Sequence, residues 1–322
     1  MLRFVLARLV KAVIILLCIT IFNFFLIHAA PGDPAAVMAG EAGDADEAYL
    51  QQLRERFGLD KPLPVQLLVY LSHIATLDLG YSYRQGLPVA QLIWDRLPAT
   101  LLLSGTAFAI SLVLGVMAGA LAASRQGRIS DSLISAFALL FYATPLFWLA
   151  LMAVVLFSVQ LGWLPGFGYE SVGSGYTGLA RVADIARHLV LPATTLGLFF
   201  MAVYVRITRA SMLEVGRQDF VRTARAKGLR PGVIQRRHVL RNAILPVVTL
   251  AGVQAGQLVG GAVLIETVFA WPGIGRLMFE ALSQRDYNLL LGVFVVSSAM
   301  VLLFNLITDV LYRIVDPRIR VS

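Results

Sequence analysis

Ten basic residues crowd the stretch from Arg206 to Arg241: Arg206, Arg209, Arg217, Arg222, Arg225, Lys227, Arg230, Arg236, Arg237 and Arg241. Only Glu214 and Asp219 oppose them, so this stretch carries +8, the net charge of the whole chain. Cations at that density attract an anionic or acidic surface. Other reactive groups are sparse. None of the lysines Lys11, Lys61 and Lys227 follows a glycine, so the sequence has no phosphate-cradling GxxxxGK[ST] loop and does not hydrolyse ATP by that route. His28, His73, His188 and His238 are scattered, without an HExxH pair or a Cys/His cluster at ligand spacing, which argues against a metal site. Cys18 is the single cysteine and excludes an intrachain disulfide. No serine lies in GxSxG, and isolated Ser or Thr residues in apolar helices are packing groups, so an intramembrane hydrolase has no support.

A second set of polar residues lies in the late apolar stretches. Gln254 and Gln257 are three apart and share a helical face, as do Asn305 and Asp309, four apart. The glutamines line a channel or bond neighbouring helices, and both readings stay open. Asp309 stands four residues before Arg313, the spacing of a simple ion pair. Glu266 lies beside the Trp271-Pro-Gly turn, where it meets a cationic group of a substrate, caps a gate, or sits in interfacial water. Gln254, Gln257, Glu266 and Asn305 are the candidates for a translocation path.

The elements that must hold these residues follow from composition. With 58% hydrophobic residues, 14% charged residues and a mean hydropathy of +0.77, most of this chain has lipid as its solvent. A pI near 9.9 raises nucleic-acid binding, but the cations cluster at the ends of apolar segments and no soluble basic domain carries them. At roughly 20 apolar residues per crossing, six spans are predicted, near residues 9–29, 98–123, 132–160, 189–208, 244–270 and 288–312. Arg3, Arg8 and Lys11, then Arg125 and Arg128, then the basic stretch, then Arg313, Arg318 and Arg320 all fall on one side. The positive-inside rule makes that side cytoplasmic, with both termini in the cytoplasm.

Residues 30–97 carry nine acids and five bases and fall outside. Tyr49, Leu50, Leu53 and Phe57 recur at helical spacing, with Asp44 or Asp46 as N-cap and Gly58 as stop. A second outer helix is predicted from Pro62 to about Asp78. These amphipathic helices lie on the membrane surface or cover an outer mouth and meet a partner. A cleaved signal peptide is the competing reading of the N-terminus, but removing it would break the charge pattern. Pro31-Gly-Asp-Pro34 marks a rigid turn after the first span.

Within the basic stretch, a short helix from about Gln218 to Lys227 is predicted to end at Gly228 in the left-handed conformation. Pro231 then opens a second short helix through about Asn242. The two are read as basic, without a marked apolar face, and as forming a knob that enters a groove on a soluble protein. A lipid-held basic loop would explain the charge but not the helix-Gly-Pro-helix order.

These residues resemble the cytoplasmic EAA loop of ABC importer permeases. Arg222-Thr223-Ala224 stands where the broad consensus has Glu-Ala-Ala, Gly228 stands at its glycine, and Ile244-Leu245-Pro246 lies further downstream than usual. That variant resembles the dipeptide, oligopeptide and nickel branch. Its other marks are Pro-Gly-Asp-Pro (31–34), Arg-Ala-Ser-Met-Leu-Glu (209–214), Phe-Ala-Trp-Pro-Gly-Ile-Gly-Arg-Leu (269–277), Arg-Asp-Tyr (285–287) and Asp-Pro-Arg-Ile-Arg (316–320). The match spans essentially the whole chain.

The resemblance implies an all-α polytopic bundle of about six transmembrane helices, the type I importer permease fold, in the bacterial inner membrane. It divides the chain into residues 1–97, a first helix plus an external segment, and residues 98–322, a five-helix core with a coupling loop at 206–243. It implies a non-catalytic subunit paired with a second, related permease. Two cytoplasmic ATPases that bind ATP and Mg, and an external binding protein that delivers cargo, complete the assembly. Arg222, Thr223, Ala224, Arg225, Ala226, Lys227 and Gly228 would make the ATPase contact. Peptides are preferred over nickel or another small solute, since nickel would leave a histidine-rich trace. The rival from another class is a secondary transporter or channel, which predicts mid-span charges or inverted repeats.

Overall fold

The computed structural model describes residues 2–29, 47–57, 60–82, 84–259 and 263–315, whose regular elements are helices apart from one short hairpin. Residues 31–34, Asp44, Asp46, Gly58 and the 316–320 motif lie outside that set. In chain order the elements are α1 (Leu2–His28), α2 (Glu47–Phe57), α3 (Leu63–Ala75), β1 (Tyr81–Ser82), β2 (Leu87–Pro88) and α4 (Val89–Ser124). Then come α5 (Ile129–Ala143), α6 (Leu146–Gln160), α7 (Gly178–Val215), α8 (Asp219–Ala226), α9 (231–259), α10 (Val263–Val268), α11 (Ile274–Ser283) and α12 (Tyr287–Val315).

Among the described residues α1, α4, α7 and α12 are each long and apolar enough to cross a membrane alone. The expected third span is not straight: α5 and α6 meet at 102°. Pro145 causes the break, because it has no N–H to give the ladder and forces Thr144 into an extended conformation (φ −84°, ψ 134°). Of the expected fifth span, the described residues give a helix as far as Val259 and a short helix, α10, from Val263. The fourth is longer than predicted, at 38 residues or roughly 57 Å, so that much of the outer loop expected before residue 189 is helix. With the bent pair as one crossing, five of the six expected spans are met by length and composition among the described residues, and α9 lies where the remaining one is expected.

α4 and α7 form the central pair. Gly115 and Gly119 let them approach closely: a Cβ at Gly119 would lie 2.7 Å from both Thr208 Cβ and Val205 O. Small residues are what such close helix crossings use in lipid, where backbone contact replaces the hydrophobic drive. α5, α7, α9 and α12 pack on one another in that order as an arc, with α4 against all four and α1 against α12. Trp271, Phe269, Leu103, Leu191, Leu196 and Ile265 make the largest apolar cluster among the described residues, and Trp271 Nε1 donates to Ala99 O at 2.8 Å.

The hairpin is clamped to α12. Ser82 Oγ donates to Asp286 Oδ2 at 2.5 Å, and Asp286 Oδ1 accepts the Leu289 N–H at 3.1 Å, capping the helix. The Arg-Asp-Tyr motif is therefore a joint between the hairpin and the last span. Both predicted outer helices are present. α3 leans on the end of α1, with Tyr70 stacked on Phe24 at 5.6 Å, while Leu63, Val65, Leu68 and Val69 remain exposed. Just beyond it, the Gly80 N–H and the His73 ring hold the Asp78 carboxyl below the usual carboxylate range.

Candidate functional site

α7 carries the basic stretch as far as Val215, the chain turns at Gly216 and Arg217, and α8 begins at Asp219. Asp219 sits in the first turn, where a carboxylate complements the helix dipole. α8 ends as its sequence dictates: Gly228 has φ +76°, its N–H reaches Arg225 O at 2.9 Å, and the Leu229 N–H reaches Ala224 O at 3.4 Å. This is the Schellman pattern, whose left-handed residue favours glycine.

The side-chain arrangement departs from the prediction in two ways. α8 does have an apolar face: Val221 and Ala224, three apart, are buried against Ala123 of α4, Met212 of α7, and Ile234, Val239 and Ala243 of α9. Ala224 is only 5% exposed, so it anchors the helix to its own chain and is not presented to a partner's groove. The i, i+3 spacing of Val221 and Ala224 was the available signal, outweighed by the charges around it. Arg222, Thr223, Arg225, Ala226, Lys227 and Gly228 are all exposed. Arg222 Nη1 lies 3.3 Å from Asp219 Oδ1, an exposed pair that leaves the helix cationic overall.

Pro231 opens the next helix as expected, but that helix does not stop near Asn242. It continues through a π-helical stretch, Ile234–Leu240, into Arg241–Val259. The second loop helix and the fifth span are thus one rod. Beside it, Arg209 grips Asp131 through two bonds of 2.7 and 2.8 Å, tying the end of α7 to the start of α5. Asp131 also accepts the Gly127 N–H at 3.1 Å. The Arg-Ala-Ser-Met-Leu-Glu entry therefore has a structural role at Arg209 and Met212 that spacing alone does not reveal.

The path candidates separate. Gln254 is half-buried on α9 and its Oε1 has no hydrogen-bond partner among the described residues. Asn305 is half-buried on α12, which packs on α9 through Thr308 Oγ1 donating to Gly252 O at 3.1 Å. The side chains of Gln257 and Asp309, and with them the expected Asp309–Arg313 pair, lie outside the described residues.

Glu266 does not sit in interfacial water, since it has no exposed surface. Its Oε1 accepts the Thr100 hydroxyl at 3.0 Å and its Oε2 the Arg276 N–H at 2.9 Å, with the Gly275 N–H as a further donor. Thr100 Oγ1 in turn accepts the Ile274 N–H at 2.7 Å. Three N–H groups that the first turn of α11 leaves open are thus satisfied by α10 and α4. Gly273 and Gly275 make room for this: a Cβ on Gly273 would occupy the position of the Glu266 carboxyl group, and one on Gly275 would lie 2.9 Å from its Oε2. The Trp-Pro-Gly-Ile-Gly motif is a cradle for one buried carboxyl group.

Comparison with known proteins converges on one assignment. The family described as binding-protein-dependent transport system inner membrane component matches residues 115–321, and its N-terminal companion matches residues 1–104. The chain is 40% identical over 336 residues to the dipeptide transport system permease protein DppB of Alkalihalophilus pseudofirmus, covering 99% of this chain and 100% of that one. It is 40% identical to DppB of Escherichia coli, over 99% of each chain. The oligopeptide transport system permease protein AppB of Bacillus subtilis is 39% identical, again over 99% of each. Among solved structures, the inward-facing MetNI methionine ABC transporter matches with a TM-score of 0.57 at 20% identity, over 70% of this chain and 97% of that one, a likeness of fold.

Proposed function

The chain belongs to the family of binding-protein-dependent transport system inner membrane components, and from that premise we propose that it is the permease subunit of an ATP-driven peptide importer. In this reading it lies in the bacterial inner membrane with both termini in the cytoplasm. A second permease completes the path, two ATPases bind ATP and Mg, and an external binding protein delivers the peptide. The names of the dipeptide and oligopeptide relatives, matched over nearly their full length, favour peptides over nickel or another small solute.

The observation that carries the coupling mechanism is the construction of α8. Its exposed side is cationic, whereas its buried side is keyed into α7 and α9 through Val221 and Ala224. A push on α8 is therefore a push on both rods, because packed interiors transmit displacement rather than absorb it. ATP favours the closed ATPase pair, and a loop rigidly attached to that pair biases α7 and α9 toward the outward-open arrangement. The chain's part is to receive that motion and reshape the path, for which Gln254, Gln257 and Asn305 supply polar groups.

The test uses the complex purified with its ATPases. Arg222→Glu combined with Arg225→Glu reverses the exposed face without touching Val221 or Ala224. Gly228→Asp adds a charge and a Cβ that disfavours the left-handed cap by roughly 1 kcal/mol. Both variants are expected to insert normally and then to lose the ATPases, or to retain them while ATP hydrolysis no longer drives uptake. Wild-type assembly and uptake in both would remove α8 as the coupling surface. Peptide uptake by this chain without ATPases would favour a secondary transporter or channel.

A further inference from the structure

α4 covers one side of α7, where Gly115 and Gly119 meet Met201, Val205 and Thr208. A turn of 100° per residue puts Val203, Arg206 and Ala210 on the opposite side of α7. Between α7 and α5 a groove of about 290 Å³ opens, walled by Ala138, Leu139, Ala202, Val203 and Val205, with Arg206 and Arg209 at one end. Tyr142, stacked on Phe199 at a centroid distance of 5.7 Å, stands towards the other.

The two arginines are not equivalent. Arg209 is committed to Asp131. Arg206 is exposed, and no carboxylate pairs with it among the described residues. It also lies about one helical turn, or roughly 4.5 Å, deeper in the bundle than Arg209. Away from the arginines the surface is bare hydrocarbon: α4 exposes Leu101, Leu102, Val113, Leu114, Met117 and Leu121, and α5 exposes Leu133, Phe137 and Leu140. Those surfaces suit lipid. A guanidinium at the end of the apolar stretch of α7, beside apolar walls, is costly where it meets lipid tails and is at home where it lines a route for solutes.

We propose that this groove is a station on the transport path in which the Arg206 guanidinium pairs with a carboxylate of the passing peptide while the apolar wall and Tyr142 receive a side chain. The inference rests on the reading of the chain as a peptide permease. Peptides differ in their side chains but share a terminal carboxylate, so a contact with that group serves cargo of varied sequence. A forked donor suits a carboxylate in geometry as well as charge. Because Arg206 remains open to solvent, the pairing is weak enough for the peptide to leave.

The experiment reconstitutes the complex in vesicles with its ATPases and binding protein. ATP-dependent peptide uptake by the unaltered complex comes first, and its absence would sink the peptide-permease reading itself. Where uptake is present, Arg206→Gln should lower it about tenfold at saturating binding protein, the loss of one charge-assisted bond, while Arg206→Lys retains most of it. Peptide amides that the binding protein still captures should enter slowly, and Arg206→Gln should slow them no further. In a Cys18→Ser background, Val203→Cys should react with a water-soluble thiol reagent and be shielded by peptide, whereas Leu114→Cys should not react. Unchanged uptake in Arg206→Gln, or an unreactive Val203→Cys, overturns the proposal. So does a defect seen only in vesicles with anionic lipid, which assigns the groove to a headgroup, or loss of the second permease, which assigns it to subunit packing.

Discussion

A carboxyl group with no exposed surface persists in an apolar bundle only when donors meet its oxygens, and Glu266 is met by Thr100, Gly275 and Arg276. Glu266→Ala would leave those donors buried and unpaired, and should destabilise the protein by about 3–5 kcal/mol in thermal unfolding in detergent. Glu266→Gln should lose less, since its amide oxygen still serves the first turn of α11. Gly273→Ala should cost about 1–3 kcal/mol by forcing the carboxyl group out of its cradle. An unchanged transition in Glu266→Ala would mean the node holds nothing. The sequence places Glu266 near the Trp-Pro-Gly turn, but its meeting with Thr100, 166 residues away in the chain, is a tertiary contact no local pattern encodes.

Helix boundaries were legible where backbone chemistry decides them. Gly228 ends α8 because only glycine takes φ +76° freely, and Pro231 starts α9 because its missing N–H is not needed there. The burial of α8 was not read from its sequence, because the i, i+3 pair Val221 and Ala224 was outweighed by the charges around it. That burial makes Ala224→Trp a probe of packing rather than of partner contact. It should destabilise the isolated permease by about 1–3 kcal/mol against Met212 and Ile234, whereas the paired reversal at Arg222 and Arg225 should leave its unfolding unchanged. Equal unfolding temperatures for Ala224→Trp and wild type would contradict the packing described here.

Across the whole molecule, the charge bias and the helices together predict that residues 47–57 lie outside and α8 inside. With Cys18→Ser as background, Glu47→Cys should label from the outside only and Lys227→Cys only after the membrane is opened. Labelling of both from one side would undo the orientation and the coupling mechanism with it. Removing residues 47–75 should impair uptake at limiting substrate while insertion stays normal, because α3 leans on the end of α1 without being buried in the core. Unchanged uptake would leave α2 and α3 as a surface spacer.

What the sequence determined by itself was whatever follows from solvent and backbone: a lipid-borne helical chain, roughly where it crosses, which side is basic, and where glycine and proline stop and start its helices. These depend on apolar stretches of bilayer length, on charges that stay in water, and on residues with unusual φ, all of them local. Only the tertiary structure decided that the third crossing bends at Pro145, that the loop helix and the fifth crossing are one rod, and that Ala224 faces inward. It alone also set Arg206 against a groove and Arg209 against Asp131, although the two are three residues apart on one helix. The reason is geometric: a helix turns successive residues in different directions, and what each direction meets depends on segments far away in the chain.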